Sequence, residues 1–208
     1  MSNEAVVAVA PIVDGGDTGP ARNRRQQETF CKVLAAGLQM LRQTSYADLS
    51  VRAVAARAQV APATAYTYFS SKNHLIAEVY LDLVRQVPYF TDVNEPMPER
   101  VNQTLRQLTL VVADEPEVAA ACTTALLGGG ADPAVRVVRD RIGAEIHRRI
   151  RSAIGPGADD RTISALEMAF FGALVNAGSG AFSYHQIADR LAYVAGLIID
   201  PQPTGSVQ

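Results

Sequence analysis

The sequence predicts an all-α chain of about nine helices. Apolar residues recur at steps of three and four over most of its length, the mark of helices with one buried face. The segments so marked are separated by clusters of helix breakers and caps. No stretch sustains the alternation of a half-buried strand, and no internal repeat is visible.

The elements follow in order. Residues 1–21 lack periodicity and contain GGDTGP, so they read as a mobile arm. A first helix is expected from about Asn23 to Gln43, with Phe30, Val33, Leu34, Gly37, Leu38 and Leu41 on its buried face. Ser50 is a good N-cap for a short second helix, Val51 to Ala58, which turns Val54, Ala55 and Ala58 inward. Gln59-Val60-Ala61 has the length of a tight turn. Pro62 then suits the first position of a third short helix that ends near Phe69. Ser71 caps a fourth, carrying Leu75, Ile76, Val79, Tyr80 and Leu83. Beyond Val87-Pro88 and the linker-like NEPMPE (94–99), five more are expected at about 99–113, 116–127, 133–154, 160–180 and 184–199. DEPE, LLGGGADP, GPGADD and AFS separate them, and PQPTGSVQ (201–208) reads as a frayed tail.

With 208 residues, 48% hydrophobic and 19% charged, the chain is globular and can bury a sizeable core. No apolar run approaches the ~20 residues of a membrane helix, so no membrane association is expected. The start has Glu4 where a signal peptide carries positive charge. A cytoplasmic location is therefore expected. Cys31 and Cys122 both fall in apolar helical patterns and read as reduced, buried thiols. The net charge of −2 is unevenly spread. Residues 22–86 carry nine basic and four acidic residues, a net +5, which leaves −7 on the remainder. A basic segment on an acidic body suggests a nucleic-acid-binding module joined to a part with another task.

Residues 50–73 sharpen that suggestion. Two short helices joined by a tight turn form a helix-turn-helix, whose second helix enters the DNA major groove. Ala61, Ala63 and Ala65 leave the front of the third helix uncrowded. Ala61 has no side-chain oxygen with which to cap that helix, so its first N–H groups await either a phosphate or water. Lys72, in the first turn of the fourth helix, opposes the macrodipole. That placement makes sense if the lysine and the helix N-terminus share one anion, with Ser71-Lys72 forming a second anion site.

LSVRAVAARAQVAPATAYTYFSSKNHL (49–75) resembles the DNA-binding region of the tetracycline-repressor (TetR) family of bacterial transcription regulators. The residues that carry the resemblance are Ser50-Val51, Val54-Ala55, Gln59-Val60-Ala61, Thr64-Ala65-Tyr66, Tyr68-Phe69 and Lys72. Three positions depart from the family pattern. Gln59 replaces a turn glycine, Ala61 a capping serine, and Ala65 a large apolar residue. Either the backbone at Gln59 avoids positive φ or it tolerates strain.

The resemblance implies double-stranded DNA as partner, contacted through Arg52, Pro62, Ala63, Thr64, Tyr66, Thr67, Tyr68 and Lys72. Arg52 would reach a guanine edge or hold a phosphate. Thr64, Tyr66 and Lys72 would position the backbone, and Pro62, Ala63, Thr67 and Tyr68 would face the groove. Phe69 belongs to the core. Arg22, Arg24 and Arg25 are either an arm for a minor groove or flanking phosphates, or a solvated basic leader. On this reading residues 22–70 bind DNA, and residues 71–200 form a helical ligand-binding and dimerisation domain.

The resemblance also implies a homodimer on a palindromic operator, released by a small inducer. Met168, Phe171, Gly172, Val175, Gly178, Ile187, Leu191, Val194 and Ile198 are the small and apolar residues suited to a four-helix interface, though any internal core draws on the same residues. Tyr89, Phe90, Leu105, Leu108, Cys122, Leu126, Phe170 and Asn176 are candidate pocket residues or ordinary core. No charged residue among the pocket candidates stands out as an anchor, which favours an apolar or neutral ligand. LLGGGADP is a hinge, a pocket mouth or a solvated turn.

Two other classes compete with this reading. An enzyme is disfavoured. His74, His147 and His185 form no metal pair, no nucleophile elbow or phosphate loop is present, and no metal or cofactor is expected. A helical adaptor that binds protein through residues 61–73 explains the aromatic residues, but neither Lys72 nor the basic segment.

Overall fold

The structure is a computed structural model that describes residues 20–128 and 132–200, with side chains from Arg24 onward. The expected tail, most of the expected arm, the Arg22 side chain and the centre of LLGGGADP lie outside the described residues. Nine α-helices and no strand are present among those described. They are α1 (Pro20–Leu41), α2 (Val51–Arg57), α3 (Pro62–Tyr68), α4 (Lys72–Gln86), α5 (Met97–Leu110), α6 (Pro116–Gly128), α7 (Pro133–Ile154), α8 (Asp160–Gly178) and α9 (Tyr184–Ile199).

Local chemistry sets most of these boundaries. Ser50 Oγ accepts from Ala53 N, and Ser71 Oγ from His74 N, as N-cap side chains do. Asp132 and Asp159 cap α7 and α8, and a full capping box between Ser183 and Gln186 opens α9. Pro62 and Pro133 stand in first turns, where no N–H is needed. Pro20 also begins a helix, so α1 starts about three residues before the expected Asn23. Gly155, at φ +86°, stops α7 in a conformation that costs glycine little.

α4 is central: it packs on α1, α6 and α7, while α5 packs on α7 and α9, and α8 on α9. One apolar core runs from Val33 in α1 to Ala195 in α9. Phe69 lies wholly buried within it, its ring stacked 5.1 Å from that of Phe30. Truncating a buried phenylalanine costs about 3–5 kcal/mol, so Phe69 anchors the end of α3 to α1. Arg149 is also buried. It pairs with Glu145, donates to the carbonyls of Arg85 and Val87 at the end of α4, and stacks 4.5 Å under Tyr89. A buried guanidinium needs such partners, because desolvation without them costs several kcal/mol.

Candidate functional site

α2 and α3 form the expected hairpin. Gln59 sits between them at φ +56°, the sole non-glycine residue at positive φ among those described. The backbone thus keeps the turn that glycine would favour and accepts strain of about 1–2 kcal/mol. Ala61 precedes α3 with no side-chain hydrogen bond to its first turn. On the outer side of the hairpin Arg52, Pro62, Ala63, Tyr66 and Thr67 are exposed, and Thr64 is half-buried. Tyr66 retains 52% of its surface, high for a tyrosine beside a core. Ala65 packs wholly inward, which lets the short helix sit close on α2. Arg24 and Arg25 are exposed at the start of α1, with Arg24 3.4 Å from Glu28.

Two residues expected at this face also have partners within the chain. Tyr68, expected to face the groove, is half-buried, edge-on to Phe30 at 6.0 Å. Lys72, expected to share an anion with the start of α4, has partners within the chain. Its Nζ donates to Tyr46 O at 2.8 Å and lies 4.1 Å from the centre of the Tyr46 ring. Carbonyl dipoles and the negative ring face satisfy the ammonium, so Lys72 braces the α1–α2 connection. Tyr46 OH in turn donates to Asn73 Oδ1 at 2.6 Å. The α4 N-terminus is itself closed by Ser71, whose Oγ also donates to Asp132 Oδ2 at 2.6 Å.

Three ties therefore join the first helices and the start of α4 to the larger body. Ser71 holds Asp132 at the head of α7. Glu78, deep in α4, pairs with Arg141 of α7 and lies 3.8 Å from His74 Nε2. Burial pushes the Glu78 carboxyl up, but His74 and Arg141 outweigh it and hold the pKa below its usual value. Arg42, just past α1, donates through Nη2 to Glu115 Oε1 at 2.7 Å ahead of α6. That bond holds the Glu115 carboxyl below its usual range.

Behind these ties lies a cavity of about 550 Å³, within the size range of small-molecule sites. α6, α7 and α8 form most of its wall, and Tyr80 of α4 and Tyr184 of α9 add to it. Of the expected pocket residues, Cys122 and Leu126 line it. Burial pushes the Cys122 thiol up to about 12, so it is an apolar wall group rather than a nucleophile. The other expected residues do not line it. Leu105, Leu108 and Phe170 are sealed in the core. Tyr89 covers the Arg149–Glu145 pair, and Phe90 is half-buried beside it in the chain. Asn176 is exposed, donating to Gly172 O at 2.8 Å. Sequence reading missed Tyr80, Thr123, Arg136, Arg139, Asp140 and Tyr184. Three of these are charged, where no charged residue stood out in the sequence as an anchor; their i, i+3 and i+4 spacing in PAVRVVRDR was the available signal.

The surface expected for dimerisation divides. Met168, Phe171, Gly172 and Val175 form an exposed face of α8, joined by Tyr193, Val194 and Leu197 of α9. Ile187 and Leu191 instead point into the chain's own core, and Ile198 is half-buried against it. Gly178 meets α6: a Cβ there would stand 2.7 Å from Thr123 Cγ2. Phe171 and Val175 also reach the cavity. Cys31 is exposed rather than buried, because α1 turns that side outward.

Comparison with known proteins agrees with this architecture. Residues 33–79 match the model of the bacterial regulatory proteins of the tetR family. An HTH-type transcriptional regulator of Mycobacterium tuberculosis is 76% identical over 190 residues, 89% of each chain. The HTH-type transcriptional repressor KstR of Rhodococcus jostii is 28% identical over 158 residues, 74% of this chain and 70% of that protein. Among solved structures, a TetR transcriptional regulator from Rhodococcus sp. RHA1 superposes with a TM-score of 0.72 at 21% identity, covering 85% of this chain and 97% of the other. A second regulator from Rhodococcus sp. superposes with a TM-score of 0.58 at 18% identity, covering 83% of this chain and all of the other. These relatives are transcription regulators and not enzymes, as the scattered histidines lead one to expect. This chain belongs to the TetR family of DNA-binding bacterial transcription regulators.

Proposed function

We propose that the protein is a cytoplasmic homodimeric repressor that leaves a palindromic operator when a small ligand enters the α6–α8 cavity. Residues 22–70 serve as its DNA-binding unit and residues 71–200 as its ligand-binding and dimerisation unit. The observation that carries this reading is the pairing of an open, uncapped α3 face with a cavity whose walls connect to α4. Pro62 and Ala63 sit at the front of α3, where small groups admit close approach to a groove and contact with thymine methyls. Tyr66 and Thr64 supply hydroxyls for phosphates, and Arg52 supplies a guanidinium for a guanine edge or a phosphate. Arg24 and Arg25 add charge beside the duplex.

A single half-site contact is weak, and a symmetric dimer places two α3 helices about one turn of DNA apart, roughly 34 Å. The exposed Met168, Phe171, Val175, Tyr193 and Leu197 face supports that pairing. The KstR relative is described as a repressor, which supports repression here. Ligand and DNA oppose one another only if the ligand prefers one spacing of the two α3 helices.

Titration of DNA binding against salt tests the contact roles. Tyr66→Phe should weaken binding to every sequence by about 1 kcal/mol with the salt slope unchanged, because a hydroxyl displaces no counterion. Arg52→Ala should relax preference at one base pair per half-site if it reads guanine, or flatten the slope by about 0.9 if it holds a phosphate. Unchanged affinity in both variants would remove this face from the DNA interface.

A further inference from the structure

The cavity's polar groups are segregated. Arg136, Arg139 and Asp140 stand at its α7 end beside Leu126 and Leu127, and none forms an ion pair among the described residues. Arg139 is half-buried, with one N–H 3.3 Å from Leu126 O and the rest of its fork available. Two guanidiniums against one carboxylate leave that end with one net positive charge. Further along the same helix Ile142 and Ile146 continue the wall, and Ala119, Cys122 and Leu174 face it from α6 and α8. Arg136 and Ile146 are ten residues apart, about 15 Å along α7. Tyr80, 4% exposed, borders the same space with a hydroxyl that burial keeps protonated.

We infer that the ligand is an elongated amphiphile, an apolar body of up to about 15 Å ending in one carboxylate or similar monoanion held by Arg136 and Arg139. This rests on the cavity being the effector site. The fork geometry of arginine suits a carboxylate, and a half-buried guanidinium gains most from an anion brought in with its apolar tail. Asp140 disfavours a second negative charge, which limits the head to a monoanion. The neutral Tyr80 hydroxyl serves as a hydrogen-bond donor to a polar substituent on the body.

The test uses the full-length protein, with the neutral dye N-phenyl-1-naphthylamine as reporter of the apolar cavity. Dodecanoate, 1-dodecanol and dodecylamine share one body and differ in the head. Each is titrated as a competitor below its micellar concentration. Dodecanoate should displace the dye at a concentration about tenfold or more below the other two, as a charged hydrogen-bonded pair implies. In R136Q/R139Q that preference should vanish while dye affinity stays the same; both residues lie at the surface end of the cavity, so the fold is retained. A carboxylate preference that survives R136Q/R139Q overturns the anion assignment and leaves the cavity standing. Equal or tighter displacement by dodecylamine, which would make Asp140 the anchor, does the same. Dye binding unaffected by Ala119→Phe, in a protein with unchanged helix content, places the dye elsewhere and overturns the effector-site reading itself.

Discussion

Ser71 Oγ donates to Asp132 Oδ2 at 2.6 Å while accepting from His74 N, so one hydroxyl joins the N-cap of α4 to the N-cap of α7. The bond holds the Asp132 carboxyl below its usual range. It also sets the helix that follows α3 against the helix that carries Arg136 and Arg139. Ser71→Ala removes a cap as well as this bond and should cost about 1–2 kcal/mol. A denaturation cycle of Ser71→Ala, Asp132→Ala and the double variant should show non-additivity of about 0.5–3 kcal/mol. Strict additivity would mean that the two helix starts are not coupled.

Gln59 and Ala61 mark places where the chain departs from what is most stable locally. Gln59→Gly relieves the left-handed strain but adds chain entropy in the unfolded state, for a net gain of about 0.5–1 kcal/mol. Ala61→Ser restores a cap and should add about 0.5–2 kcal/mol. Urea unfolding midpoints check both. A loss of stability at Gln59→Gly would show that its side chain makes up for the strain.

Acid should loosen the joint between α4 and α7. The folded pKa of Glu78 is depressed: burial raises it, yet His74 and Arg141 lower it by more. A depressed carboxyl contributes stability at pH values above its unfolded pKa, about 4.3, and that contribution is lost as pH falls through the folded value. Glu115 and Asp132 act with the same sign. Unfolding free energy should therefore fall below about pH 4.3, and Glu78→Gln should flatten that fall. An equal slope in the variant would remove Glu78 from the account.

Met168 and Tyr193, 76% and 72% exposed, lie on the proposed dimer face away from the chain's own core. Met168→Glu with Tyr193→Glu should leave the monomer folded and raise its dimer dissociation constant by about a hundredfold or more, through charges buried without partners. Sedimentation velocity reads the change. An unaltered dimer would move the interface elsewhere.

Elements that depend on near neighbours were legible in the sequence. Ser50, Pro62 and Ser71 act within one turn, and α7 and α9 run from residue to residue as their periodicity indicates. Phe69 was readable as core because it closes α3 on the side of α1. The cavity was legible only in part, since lining it depends on how helices are rotated against one another. Phe170 and Phe171 are adjacent, yet one is sealed in the core and the other borders the cavity. The internal partner of Lys72 was not legible either. The position of Lys72 hinted at an anion, but the Tyr46 carbonyl that engages it is 26 residues away in the chain. The overlap of Phe171 and Val175 between cavity and outer face was likewise hidden, because one helical position can reach both when the wall is a single helix thick.

Selection of bound fragments from random double-stranded DNA by the full-length protein tests the central claim most directly. The account predicts enrichment of a palindrome whose half-sites lie about one helical turn apart, and loss of that enrichment when α3 carries Pro62→Glu and Thr64→Glu. Recovery of no enriched sequence, or of a single unpaired half-site, would contradict a dimeric operator-binding regulator.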